Sequence, residues 1–109
     1  MCPVLTAHSA VIERLCRRYD VARLEVFGSA ARNDFKDETS DIDLIVQFRH
    51  EEAEGLFDRY WGLAEELENV LGRPVELLTE RMIRNPQFRT AVDVDRERLY
   101  ADEPEEAAH

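Results

Sequence analysis

Gly28-Ser29-Ala30-Ala31-Arg32-Asn33-Asp34-Phe35-Lys36-Asp37-Glu38-Thr39-Ser40-Asp41-Ile42-Asp43 is the stretch on which the reading of this chain turns. It follows Ala22 to Phe27, a short apolar run with the pattern of a central strand. A glycine directly after a strand can adopt a backbone shape closed to other residues, and it lets a phosphate approach the amides. A helical turn over Ser29 to Asn33 would add unpaired N–H groups and a positive dipole end, and the Ser29 hydroxyl one more donor. Alone, Gly-Ser after a strand is also an ordinary turn and cap. Asp41 and Asp43 change the weighing. They open the run Asp41-Ile42-Asp43-Leu44-Ile45-Val46-Gln47-Phe48, which alternates like a strand, and residues i and i+2 of a strand share a face. Two such carboxylates repel a phosphate unless a divalent cation lies between them. Mg²⁺ suits that place, because it takes hard oxygen ligands and leaves much of its shell to water and substrate phosphates. An acidic hairpin end capped by Ser40 and Asp41 is the plainer alternative. It does not explain Asp43, which lies inside an apolar run where an unpaired carboxylate is costly. Metal-dependent phosphoryl or nucleotidyl transfer is the leading expectation.

The rest of the chain sets bounds on that chemistry. Its 109 residues make one domain with one modest core, and a chain of this size buries roughly two-thirds of its extended surface. There is no length for a second substrate domain, so a large target must supply its own specificity. The net charge is −10 and uneven: residues 1–50 hold 8 acids and 7 bases, residues 51–109 hold 16 and 7. Such a surface disfavours duplex nucleic acid and tolerates a basic protein partner. Cys2 and Cys16 have no metal-site or disulfide spacing, and Cys16 falls on an apolar helix stripe. No apolar stretch approaches 18 residues and no signal-peptide core is visible, so a soluble cytoplasmic protein is expected.

Apolar residues at three- and four-residue steps from Val4 to Tyr19 predict one amphipathic helix, begun at Thr6 or Pro3. A second strand is expected over Asp43 to Phe48, and the longest helix over Glu51 to Leu71. Its buried stripe is Leu56, Tyr60, Leu63, Ala64, Leu67 and Leu71, widened by Phe57, Trp61 and Val70. Gly72 caps it and Pro74 prevents continuation. Val75 to Leu78 is a short third strand. Pro86 opens a helix to about Val92 or Asp95, and Leu99-Tyr100 pack back onto the domain. The expected organisation is a single domain over residues 1–100 with an acidic, disordered tail over 101–109. The fold class is α/β (α+β), a small mixed β-sheet flanked by helices.

Glu76, between Val75 and Leu77, is the candidate third carboxylate of a two-metal site. It can face the cleft of the aspartates or point to solvent as an edge-strand residue, and both readings stand. Arg32, one helical turn past Gly28, can reach a phosphate or pair with Asp34, Asp41 or Asp43. Lys36 lies in a charged loop and is a weak candidate for a triphosphate contact. His8, His50 and His109 have no ligand spacing and read as structural or solvated. Trp61 lies off the centre of its stripe and suits a protein interface.

Gly28-Ser29-Ala30-Ala31-Arg32 followed by Ser40-Asp41-Ile42-Asp43-Leu44-Ile45-Val46 closely resembles the signature of the nucleotidyltransferase superfamily that includes DNA polymerase beta. The small size resembles its minimal nucleotidyltransferase (MNT) branch, and the likeness covers about residues 5–100. The resemblance implies a polymerase beta-like fold. Gly28 and Ser29 would bind the nucleotide phosphates, with Arg32 the further candidate contact read from its spacing, and Asp41, Asp43 and Glu76 would bind the catalytic Mg²⁺ ions. Glu76 stands where the family usually has aspartate, and Asn33 where it commonly has glycine. Members of this branch are typically antitoxins that bind a HEPN-domain ribonuclease toxin in a hetero-oligomer and transfer AMP from ATP to one of its tyrosines. A binding-only antitoxin with a weakened nucleotide site, and a small-molecule adenylyltransferase of the aminoglycoside-modifying kind, are the alternatives.

Overall fold

Val21–Phe27 (β1) and Ile42–Phe48 (β2) are antiparallel neighbours at the centre of a four-stranded sheet. Phe27 lies opposite Asp43, so the end of β1 that runs into Gly28 sits beside the start of β2. This computed structural model describes residues 3–28, 31, 41–51 and 54–102. Val75–Thr79 (β3) joins β2 in parallel, and Glu97–Ala101 (β4) joins β1 antiparallel, giving the order β3-β2-β1-β4. Strand alternation divides the apolar residues between two faces. Leu24, Val26, Leu44, Val46 and Leu77 enter one core with Ile12, Leu15, Leu63 and Leu67 of the helices. Phe27 and Ile45 enter a smaller cluster on the other face with Ile83 and Val92.

The helices are Pro3–Ala7 (α1), Ser9–Arg18 (α2), Leu56–Leu71 (α3) and Pro86–Asp95 (α4), with a 3-10 turn at Glu80–Met82 before α4. The single N-terminal helix expected from periodicity is interrupted at His8. There the backbone N–H shares the carbonyls of Val4 and Leu5, and Nδ1 lies 2.9 Å from the Val4 oxygen. His8 is thus a structural histidine. The long helix starts at Leu56 rather than Glu51, because Gly55 at its N-cap is left-handed with φ +91°. Gly72 ends it as anticipated, its N–H donating to the Glu68 oxygen at 2.8 Å. Phe57 departs from the expected buried stripe: it is 72% exposed. Asn85 caps α4 by accepting the N–H groups of Gln87 and Phe88, with Pro86 at the first helical position.

Leu99 and Tyr100 do pack onto the domain, but as part of β4, with Tyr100 opposite Leu24. Just before it, Arg96 bonds Glu25 of β1 at 2.6 Å, Glu80 at 2.5 Å and Asp93 at 2.6 Å. That network fastens α4 and the 3-10 turn to the sheet face carrying Asp43. Among the described residues, no helix is long and apolar enough to cross a membrane.

Candidate functional site

Asp43 is the second residue of β2, and the sheet fixes its neighbours on both sides. Across β1 it faces Phe27, the residue before Gly28, and across β3 it faces Glu76. Gly28 is left-handed at φ +73°, and a Cβ placed on it would stand 2.8 Å from Asp43 Oδ2. The chain can pass this close to the carboxylate only without a side chain. The Ala31 N–H donates to the Gly28 oxygen at 3.0 Å.

The Asp43 carboxyl is half-buried and is raised to about 6. Burial contributes most, followed by a hydrogen bond with Glu76, repulsion from Glu76 and repulsion from Asp41. A raised carboxyl marks a site where burial and neighbouring acids disfavour the negative charge. Glu76 lies opposite Asp43 on the neighbouring strand and is exposed at the sheet edge. Asp41 is exposed, one residue ahead of β2, and its charge still reaches Asp43. Ser29 and Arg32 lie outside the described residues, as do Asp34 and Lys36.

Asp43, with Glu76 opposite it on β3 and Asp41 one residue ahead of β2, offers the hard-oxygen donors that Mg²⁺ takes. Among the described residues, no group of three His, Cys, Asp or Glu side chains is drawn together as a ready metal cage. Mg²⁺ does not require one, since it is commonly held by one or two carboxylates plus water and substrate phosphates. The residues present fit the ion as a substrate-completed site.

Two neighbours of this site were not singled out from the sequence. Tyr60 of α3 donates its hydroxyl to the Leu77 oxygen, and its phenol is raised first by burial and then by the Glu76 charge. It appeared only as one of several stripe residues, and nothing in its spacing marks proximity to Glu76. Phe88 of α4 meets Phe27 edge-to-face at 6.0 Å, forming an aromatic floor beside the Asp43 register position.

The model of the nucleotidyltransferase domain matches residues 8–100. The chain belongs to this nucleotidyltransferase family. A candidate protein adenylyltransferase of Methanocaldococcus jannaschii is 35% identical over 92 residues, 84% of this chain and 87% of its own. The protein adenylyltransferase MntA of Thermococcus cleftensis is 35% identical over 89 residues, covering 82% and 83%. A solved candidate minimal nucleotidyltransferase superposes with TM-score 0.70 at 32% identity, covering 89% of this chain and 95% of that one. The same fold recurs in a chain of the complex of the tri-AMPylated Shewanella oneidensis HEPN toxin with MNT antitoxin. There the TM-score is 0.61 over 95% of this chain and 78% of that one, and at 19% identity the likeness is one of fold. The polymerase beta-like fold and the MNT branch expected from Gly28 to Asp43 are those of this nucleotidyltransferase.

Proposed function

We propose that this nucleotidyltransferase transfers AMP from ATP to a tyrosine of a HEPN-domain toxin and, in binding that toxin, acts as its antitoxin. The observation that carries the reading is the convergence of Gly28, Asp43 and Glu76 at adjacent strand positions, with a Cβ-free approach of 2.8 Å to the Asp43 oxygen. The names of the relatives supply the reaction class, and the fold-sharing toxin–antitoxin complex supplies the class of partner.

In this account Asp41, Asp43 and Glu76 would hold Mg²⁺. The bound ions would neutralise the triphosphate and favour ionisation of the acceptor hydroxyl. Gly28 leaves backbone open to the phosphates beside Asp43, and Ser29 and Arg32 contribute donors to them. The β2–β3 register holds Glu76 opposite Asp43. The tyrosine oxygen attacks the α-phosphorus in line, a P–O bond forms to the tyrosine, and the bond to pyrophosphate breaks. The hydroxyl proton leaves to solvent or a nearby carboxylate.

A binding-only antitoxin is the second reading, and the lack of a ready three-residue cage among the described residues favours it. Mixing the protein, ATP labelled on the α-phosphate, Mg²⁺ and the product of the adjacent gene separates the two. Label on a partner tyrosine supports the enzyme. Tight binding without label overturns transfer in favour of the binding-only role.

A further inference from the structure

We infer that the outer face of α3, with the cleft between it and the 3-10 turn, docks a basic segment of a partner polypeptide that inserts apolar side chains. The inference rests on the protein-modifying reading above for the choice of partner.

Three large apolar side chains lie in the open here: Phe57 is 72%, Trp61 56% and Met82 50% exposed. They share one cleft of about 340 Å³ with Phe48, Leu56 and Tyr60. Exposed apolar residues scattered singly are ordinary, but several around one cleft mark an interaction site. The rings are also ordered against one another. Trp61 meets Phe57 edge-to-face at 5.8 Å and Tyr60 at 5.3 Å. Such rigid aromatic anchors lose little entropy on binding.

Charge selects the occupant. Asp58 and Glu65 are exposed and fall at helical spacing on the same sector of α3 as Phe57 and Trp61, and Glu54 is exposed just ahead of the helix. Among the described residues lining the cleft, Arg81 on the opposite bank is the one positive charge, and Glu51 adds a further negative one. With −10 on the whole chain, a second copy would bring like charge against this bank, whereas lysines or arginines flanking an apolar insert would complement it.

The position suits the chemistry. A second cleft of about 360 Å³ shares Tyr60 and Trp61 and is lined by Val75 and Leu77, the residues on either side of Glu76. Val75 and Leu77 face α3 while Glu76, between them, faces the other side of the sheet, so a polypeptide seated on α3 reaches the edge strand β3 that carries Glu76.

Trp61 is the sole tryptophan, so its emission reports directly on this face. The test titrates the product of the adjacent gene into the wild-type protein and the Phe57→Ala, Trp61→Ala and Asp58→Asn/Glu65→Gln variants, by calorimetry and, where Trp61 is kept, by fluorescence. Circular dichroism checks the fold, which substitutions of such exposed side chains leave intact. The expected results are a blue shift of Trp61, affinity weaker by about 10- to 30-fold in each alanine variant, and slower, less salt-sensitive association in the charge variant. Asp43→Asn should bind like wild type. Unchanged affinity in the alanine variants, or no binding by any of the proteins, overturns the docking face. So does a patch-dependent self-association in sedimentation that replaces partner binding. Patch-dependent binding without nucleotide transfer supports the docking face and refutes the enzyme. Transfer at wild-type rates in all patch variants does the reverse.

Discussion

Replacing Gly28 by alanine perturbs the site at its tightest contact. The new methyl would sit 2.8 Å from Asp43 Oδ2, where ordinary contact begins at 3.4 Å, so the oxygen must retreat by about 0.6 Å. Asp43 cannot swing away freely, being half-buried between Phe27 on β1 and Glu76 on β3. The left-handed φ of +73° adds a backbone cost of roughly 1–2 kcal/mol for any residue with a Cβ. Gly72 provides the control. Its φ is +70°, but nothing lies within 4 Å of its own Cβ position. Gly28→Ala and Gly72→Ala should therefore lose similar stability in urea, each by about 1–2 kcal/mol with the slope unchanged. Their transfer rates should part. A displacement approaching 1 Å at a reacting centre costs up to about 100-fold, so Gly28→Ala should be slower by roughly 10- to 100-fold and Gly72→Ala close to wild type. Equal transfer rates in the two variants would refute the claim that Gly28 is needed to leave Asp43 in place.

Gly62 invites a second test of crowding, since a Cβ there would meet Tyr19 Cε1 at 2.8 Å. Gly62→Ala should destabilise by about 1 kcal/mol or more despite the better helix propensity of alanine, because overpacking typically costs about 1–3 kcal/mol; denaturant melts read the sign directly. Burial alone would raise the Glu80 carboxyl, but hydrogen bonds from Arg89 and Arg96 and their charges outweigh it and hold it below its ordinary 4.5. Its contribution to stability is then present above the unfolded value and is lost as pH falls through the lower folded one. Glu80→Gln should flatten the stability profile between about pH 5 and pH 3 relative to wild type, as followed by urea melts across that range. Cys16 is buried, and burial with the nearby Glu13 charge pushes its thiol up to about 12. In a Cys2→Ser background a thiol reagent at pH 8.5 should react only at the rate of unfolding, and immediate reaction would contradict the packing of α2.

Local signals were the legible ones. The alternation of Ile42–Phe48, the Gly72-Arg73-Pro74 stop and the Asn85-Pro86 start each depend on neighbours in sequence, and each appears close to where it was read. The Asp43–Glu76 pairing was legible as a possibility because both residues interrupt apolar runs. The choice between cleft and solvent needed the register of β3 against β2. What escaped is non-local. β4 has one buried residue, Tyr100, in five and owes its strand form to pairing with β1 some seventy residues earlier. The Arg96–Glu25 ion pair spans 71 positions and follows no spacing rule. Phe57 was misplaced because apolar periodicity does not distinguish a core stripe from an adjacent surface stripe when aromatics continue from one to the other.

The carboxylates beside Gly28 can be tested in one measurement: single-turnover transfer of AMP to the adjacent-gene partner by wild type, Asp43→Asn and Glu76→Gln, at partner concentrations saturating for each. The account predicts transfer by wild type, loss of at least about 100-fold in Asp43→Asn and a smaller but clear loss in Glu76→Gln, with partner affinity unchanged. Transfer surviving in Asp43→Asn at the wild-type rate would contradict it.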